Sequence, residues 1–194
     1  MNKMVLASRN PDKIEELQQT LSDLGIELLS ALDFDELNEV EEDRVTLEGN
    51  ALKKAAYVHR QTGLPALADD TGLEVEALGG RPGVYSARYA GEGATYDDNV
   101  DKLLEELSGV EATSRGARFR TVVAFVTEEG EHTFEGVCPG SIISERRGGG
   151  GFGYDPVFLP EGFERTFAQL EPAEKNRISH RGRAISKFYD WLTE

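Results

Sequence analysis

Between Ala117 and Ile143 the apolar residues fall on every second position, whereas near the N-terminus they recur at helical spacing. A chain carrying both periods is restricted to an α/β fold with at least one antiparallel pair in its sheet. Phe119, Thr121, Val123 and Phe125 alternate, Glu128-Glu129-Gly130 supplies a turn, and His132 to Val137 returns the pattern. The spacing predicts a hairpin there, extended by Ser141-Ile142-Ile143. Upstream, Met4-Val5-Leu6-Ala7 reads as a short buried strand and Ser8-Arg9-Asn10-Pro11 as a polar turn. Ile14, Leu17, Leu21 and Leu24 then mark one helical face. Asn10 suits the N-cap, Pro11 the first helical position, Asp12 the positive end of the dipole and Gly25 the stop.

The remaining elements follow from the same rules. Residues 33–48 are rich in acids and poor in core candidates, so they read as an exposed segment. A helix is expected from about Asn50 to Arg60, with Ala51, Leu52, Ala55 and Val58 inward and Gly63 closing it. Leu64-Pro65-Ala66-Leu67-Ala68 forms a second short strand that leads into Asp69-Asp70-Thr71-Gly72. The glycines and Pro82 of residues 78–93 make a loop, and Val100, Leu103, Leu104 and Leu107 a third helix. The last helix runs from about Ser179 to Leu192, presenting Ala184, Ile185, Phe188, Trp191 and Leu192 on one face. The class is α/β with a mixed sheet. No repeat or linker divides residues 1–194, a length that suits one domain or two lobes sharing a cleft.

Thirty-six acids against 21 basic residues leave a net charge of −15. Such a surface repels a nucleic-acid backbone and argues against a nucleic-acid partner. It also repels free triphosphates, so a nucleotide enzyme of this charge has to gather its cations locally and use a metal as counter-charge. No run approaches the ~20 apolar residues that span a bilayer, and the first residues turn polar too soon for a signal peptide. Cys138 is the single cysteine, so no intramolecular disulfide forms. A cytoplasmic setting is expected, with Cys138 as a small buried residue rather than a nucleophile.

Four constellations could carry chemistry. Ser8 to Lys13 joins a strand to a helix, where backbone N–H groups attract anions and Ser8, Asn10 and Lys13 add donors; a well-capped helix is the simpler alternative. Asp69 and Asp70 are adjacent carboxylates that repel one another unless a cation offsets them. They suit Mg²⁺, with Glu41 or Glu42 as a second acid, or they serve only as a turn. In Gly148-Gly149-Gly150-Gly151-Phe152-Gly153-Tyr154-Asp155-Pro156, glycines let the backbone close over a flat ligand with Phe152 stacked on it, where a plain linker would lack the aromatics. Lys175, His180, Arg181 and Arg183 gather cations at the start of the last helix, which suits an anionic or carbonyl-rich ligand or else a solvated basic patch.

In this order and spacing the segments resemble the inosine-triphosphate pyrophosphatase family, the Ham1-like non-standard purine nucleotide pyrophosphatases. The matching pieces are Ala7 to Lys13, Asn50 to Ala55, Ala68 to Leu73, Leu78 to Tyr89, Gly150 to Pro156 and Ile178 to Gly182. The resemblance implies an elongated two-lobed fold around a central mixed sheet with flanking helices, a nucleotide cleft and a homodimer. It implies Mg²⁺-dependent hydrolysis of ITP, dITP and XTP between the α- and β-phosphates. By position, Ser8, Arg9, Asn10, Pro11, Asp12 and Lys13 would hold the triphosphate, with Lys54 adding a cation. Glu41 and Asp70 would handle the metal, and Asp70 would also act as the base for water. Thr71, Phe152, Gly153, Tyr154, Asp155, Lys175, His180 and Arg181 would contact the nucleotide, the last two at the purine's carbonyl edge. Gly49 stands where many relatives have an acid, and Arg9 where a glycine is common. The rival readings are a Maf-like enzyme of different base preference and a non-catalytic nucleotide-binding module.

Overall fold

The computed structural model describes residues 2–22 and 25–194; Met1 and Leu24, the latter expected on the first helix's apolar face, lie outside them. The described elements are β1 (Lys3–Leu6), α1 (Pro11–Leu21), β2 (Glu27–Ser30), α2 (Leu47–Thr62), β3 (Ala66–Val75), β4 (Pro82–Gly83), α3 (Tyr96–Glu106), β5 (Gly116–Thr127), β6 (Gly130–Ile142), β7 (Phe158–Pro160), α4 (Pro172–Ile178) and α5 (His180–Thr193). The strands form one sheet in the order β2-β1-β3-β5-β6-β7, with β4 paired to β3. β1 runs parallel to β2 and β3, whereas β4 on β3 and β7 on β6 are antiparallel. The sheet is therefore mixed and the class α/β, as the two hydrophobic periods require.

Several boundaries differ from expectation, each for a physical reason. β3 does not end at Ala68; it carries Asp69, Asp70, Thr71 and Gly72 within the strand and continues to Val75. Leu73 and Val75 beyond them are fully buried, so continued pairing brings two more apolar side chains into a core. Gly72 permits the pairing with β4, because a Cβ there would stand 2.6 Å from the Gly83 carbonyl oxygen. α2 begins at Leu47 rather than Asn50, since Leu47 is buried and Thr46 caps the helix by accepting from the Gly49 N–H. α1 stops at Leu21, ahead of Gly25. The strand β2 had no clear signal, because its four residues show no alternation of burial. The last helix begins at His180 as expected, but a short helix, α4, precedes it and ends at Ser179, whose ψ of 157° is extended.

The chain divides into two compact units. The first comprises Met1–Asp70, Thr121–Gly136 and Arg181–Glu194. Its core joins Met4 and Leu6 of β1, Leu67 of β3, Val123 and Phe125 of β5, Ile14, Leu17 and Leu21 of α1, and Ala184, Ile185 and Phe188 of α5. The helical face read from the sequence is thus the face that α5 buries, with Phe188 packed 5.1 Å from the Phe125 ring and 5.6 Å from Phe134. The second unit comprises Thr71–Arg120 and Val137–His180. Its core gathers Val100, Leu103 and Leu107 at α3 with Phe119, Cys138, Phe158 and Phe167. Cys138 is buried there, as expected. No helix among the described residues is long and apolar enough to cross a membrane.

Removing the Phe188 ring empties the centre of the first core. Phe188→Ala is expected to cost about 3–5 kcal/mol in a urea titration, whereas Trp191→Ala, at a residue that is 38% exposed, is expected to cost clearly less.

Candidate active site

The strand β3 places two adjacent carboxylates inside the first unit, where each needs compensation. Asp69 is buried, and its Oδ2 lies 3.2 Å from Lys13 Nζ. The same oxygen accepts from Arg181 Nε at 3.3 Å and from its terminal nitrogen at 3.2 Å. Arg181 also pairs with Glu16. Lys13 and Glu16 sit three residues apart on α1, on one side of the helix, and Arg181 lies in the first turn of α5. Burial works against ionising Asp69, yet Lys13, Arg181 and Lys54 outweigh it and hold the carboxyl far below its ordinary value. Arg181 is in turn held more firmly protonated: burial opposes its charge, and Asp69 and Glu16 more than restore it.

Asp70 has a different environment. Its Oδ1 is 3.6 Å from Lys54 Nζ, and its Oδ2 accepts from Asn50 Nδ2 at 3.0 Å. Lys54 is shared: it donates to Glu42 at 2.5 Å and to the Asp69 carbonyl at 2.7 Å. Burial, reinforced by Glu42, raises the Asp70 carboxyl above its ordinary value against the pull of Lys54 and Lys13. Burial also acts on Glu42, but its closer contact with Lys54 leaves it lowered. The ammonium of Lys54 is desolvated, and Asp70, Glu42 and Asp69 together keep it charged.

The acidic segment has no regular structure after the short helical turn Ala31–Asp33, yet α2 fixes it. Tyr57 accepts from the Asn38 N–H at 3.1 Å, and Lys53 donates to the Glu41 carbonyl at 2.7 Å and pairs with Asp43 at 2.8 Å. Lys54 takes Glu42, and Asn50 accepts from the Arg44 N–H at 2.9 Å. Positions 50, 53, 54 and 57 form one helical stripe, so the segment is laid along it. Arg9 adds a strap from the first turn to the Leu37 carbonyl. At that turn Asn10 caps α1, accepting from the N–H groups of Asp12 and Lys13, and Ser8 accepts from Asn10 N–H. Pro11 opens the helix and Asp12 is exposed.

In the second unit, Lys175 of α4 is buried and pairs with Asp155 at 2.7 Å. Asp155 also accepts from the Phe152 N–H at 3.0 Å, and the Lys175 ammonium lies 4.9 Å from the Phe152 ring centroid. The turn requires glycine at 151: its φ is +67°, and a Cβ would sit 2.1 Å from the Asp155 carboxylate. Tyr154 is buried, donating to the Ser86 carbonyl at 2.8 Å, and the adjacent Gly153 also has a positive φ. His180 is buried and stacked on Phe119 with centroids 4.5 Å apart. Thr71 lies half-buried on β3.

The sequence-derived set is thus gathered into two groups. Lys13, Lys54 and Asp70 meet in the first unit; Phe152, Asp155 and Lys175 meet in the second. Of the two acids left open by sequence, Glu42 is the one beside Lys54, while the described contacts of Glu41 are made by its backbone. Arg181, expected at the start of the last helix, is there and pairs with Asp69 and Glu16. Arg183 is exposed. Sequence reasoning missed Glu16 and Asn50. A signal for Asn50 was present, since a buried asparagine inside a helix is unfavourable unless its amide is used.

Lysines are thus gathered on buried carboxylates beside a parallel β–α–β opening. The chain matches the model of the Ham1 family over residues 4–191, and it belongs to that family. It is 50% identical over 192 residues to the dITP/XTP pyrophosphatase of Porphyromonas gingivalis, covering 99% of this chain and 98% of that one. With the dITP/XTP pyrophosphatase of Methylococcus capsulatus the identity is 53% over 189 residues, covering 95% and 92%. A solved HAM1 protein from Coxiella burnetii superposes with a TM-score of 0.90 at 43% identity, covering 100% of this chain and 99% of that chain.

Asp69→Asn leaves Arg181 and Lys13 short of a buried partner. It is expected to cost about 3–5 kcal/mol at pH 7. A depressed carboxyl contributes stability above its unfolded value, and that contribution is lost as pH falls toward the folded one. The gap between variant and parent in denaturant melts is therefore expected to narrow below about pH 4.

Proposed function

We propose that the protein is a nucleoside-triphosphate pyrophosphatase that hydrolyses non-standard purine nucleotides such as dITP, ITP and XTP to the monophosphate and pyrophosphate. The observation that carries this reading is whole-chain similarity to dITP/XTP pyrophosphatases joined to the cluster of Lys13, Lys54, Asp70 and Glu42. In this reading Ser8, Arg9, Asn10, Pro11, Asp12, Lys13 and Lys54 serve the triphosphate. Because Asn10 already satisfies two N–H groups of the helix start, Lys13 and Lys54 carry most of the positive charge offered to phosphates.

The donor set suits a divalent cation. In the first-unit cluster four carboxylates, of Glu16, Glu42, Asp69 and Asp70, meet three cations, of Lys13, Lys54 and Arg181. The excess is negative where a polyanion is to bind. Mg²⁺ needs only one or two protein carboxylates when phosphates and water complete its shell. Asp70 and Glu42 would hold it, Glu42 taking the place that position in the sequence had suggested for Glu41. When bound it would supply charge neutralisation at the phosphates. Asp70 accepts the proton of the attacking water, a role suited to a carboxyl raised above its ordinary value. Lys54 and Asn50 keep that carboxylate oriented.

Base recognition in this reading falls to Thr71, Phe152, Gly153, Tyr154, Asp155, Lys175, His180 and Arg181. Phe152 offers a ring face, and Asp155 fixes the Lys175 ammonium as a donor for a 6-keto oxygen. A 6-amino group would leave such a donor unmatched, which disfavours adenine nucleotides. The cytoplasmic setting and the pairing of two copies belong to the same proposal; sedimentation velocity tests the latter.

Pyrophosphate release from dITP, XTP, dATP and dGTP with Mg²⁺ tests the function. The first two are expected to exceed the others in kcat/KM by at least about 100-fold. Asp70→Asn is expected to lower kcat by about 10²–10⁴-fold, and chelation to abolish turnover until Mg²⁺ is restored. Equal turnover of all four would remove the base selectivity. A preference for pyrimidines would favour a Maf-like enzyme, and binding without turnover a non-catalytic module.

A further inference from the structure

We propose that Asn50 is a positioning residue for the hydrolytic site, setting the Asp70 carboxylate and the segment that carries Glu42 in one hydrogen-bonded frame. The inference rests on the pyrophosphatase reading above for the roles of Asp70 and Glu42. Asn50 is fully buried within α2. It does not cap the helix, which Thr46 does, and asparagine is a poor choice for a helix interior on propensity alone. Its amide is used at both ends. Oδ1 accepts from the Arg44 N–H at 2.9 Å, and Nδ2 donates to Asp70 Oδ2 at 3.0 Å.

A backbone N–H can only donate, so the Arg44 contact fixes which end of the amide faces which neighbour. The donor end must then face Asp70. With Lys54 on Oδ1 and Asn50 on Oδ2, the carboxylate is held from both oxygens and its rotation is set. Arg44 lies two residues beyond Glu42, so the same amide ties the backbone beside Glu42 to the strand that bears Asp70. Lys54 also links these two segments, but it is itself a charge that a bound cation or phosphate would disturb. Neutrality allows Asn50 to keep its contacts while the ions around it change.

The test uses the full chain with Asn50→Leu, close to asparagine in shape, and Asn50→Ala, which leaves room for water. Calorimetry would measure Mn²⁺ binding to nucleotide-free protein, and kinetics kcat and KM for dITP. Both variants are expected to weaken Mn²⁺ affinity and kcat by about 10- to 100-fold, with KM for dITP within about threefold of the parent. A purely structural role would lower the melting temperature and the folded fraction but leave the Mn²⁺ dissociation constant unchanged. That result, parent-like values in both measurements, or failure of both variants to fold would overturn the proposal, as would a parent that binds no Mn²⁺. A parent that binds Mn²⁺ but hydrolyses no nucleotide would sink the pyrophosphatase reading alone, and the Mn²⁺ comparison would still decide the role of Asn50.

Discussion

The buried carboxylate of Asp69 is the interaction around which the first unit is arranged. It draws Lys13 from the helix after the first strand and Arg181 from the last helix, 112 residues further along the chain. Glu16 then satisfies the remaining side of Arg181. A buried ion pair of this kind is a poor source of net stability, because desolvating each charge offsets most of the attraction. Its strength lies in exclusivity: a misplaced helix would leave an uncompensated charge in the interior, which costs far more. The network thereby fixes α1 and α5 against β3, and β3 fixes Asp70.

Adjacent residues on one strand point to opposite sides, and this separates the two aspartates chemically. Asp69 meets two cations and is firmly ionised, while Asp70 shares Lys54 with Glu42 and the Asp69 carbonyl. Identical side chains in consecutive positions therefore acquire opposite pKa shifts. One is a structural anion. The other is a carboxylate whose burial, with Glu42 nearby, outweighs the pull of Lys54 and Lys13.

The strong overall negative charge makes the local arrangement more telling. A chain at −15 attracts few anions by its general field. Yet Lys13, Lys53, Lys54 and Arg181 are all drawn into one region, three of them on buried or half-buried carboxylates. The acidic segment contributes by lying along α2, where its acids face lysines instead of one another.

Much of this was legible in the sequence. The helical face of Ile14, Leu17 and Leu21, the hairpin from Ala117 to Ile142, the Asn10 cap and the buried faces of α3 and α5 follow from local periodicity and short-range hydrogen bonding. So does the importance of two adjacent aspartates, since their repulsion is a property of covalent proximity. Tertiary structure decided the rest. Whether β3 stopped at Ala68 depended on Gly83 arriving to pair beyond Gly72. Whether Glu41 or Glu42 met Lys54 depended on how a segment without periodicity lay along α2. Which acids Arg181 would pair with depended on Glu16, 165 residues away. Local sequence encodes period, capping and the chemical types present; which charges become partners is set by burial, because only in a low-dielectric interior does an unmatched charge cost enough to dictate the pairing.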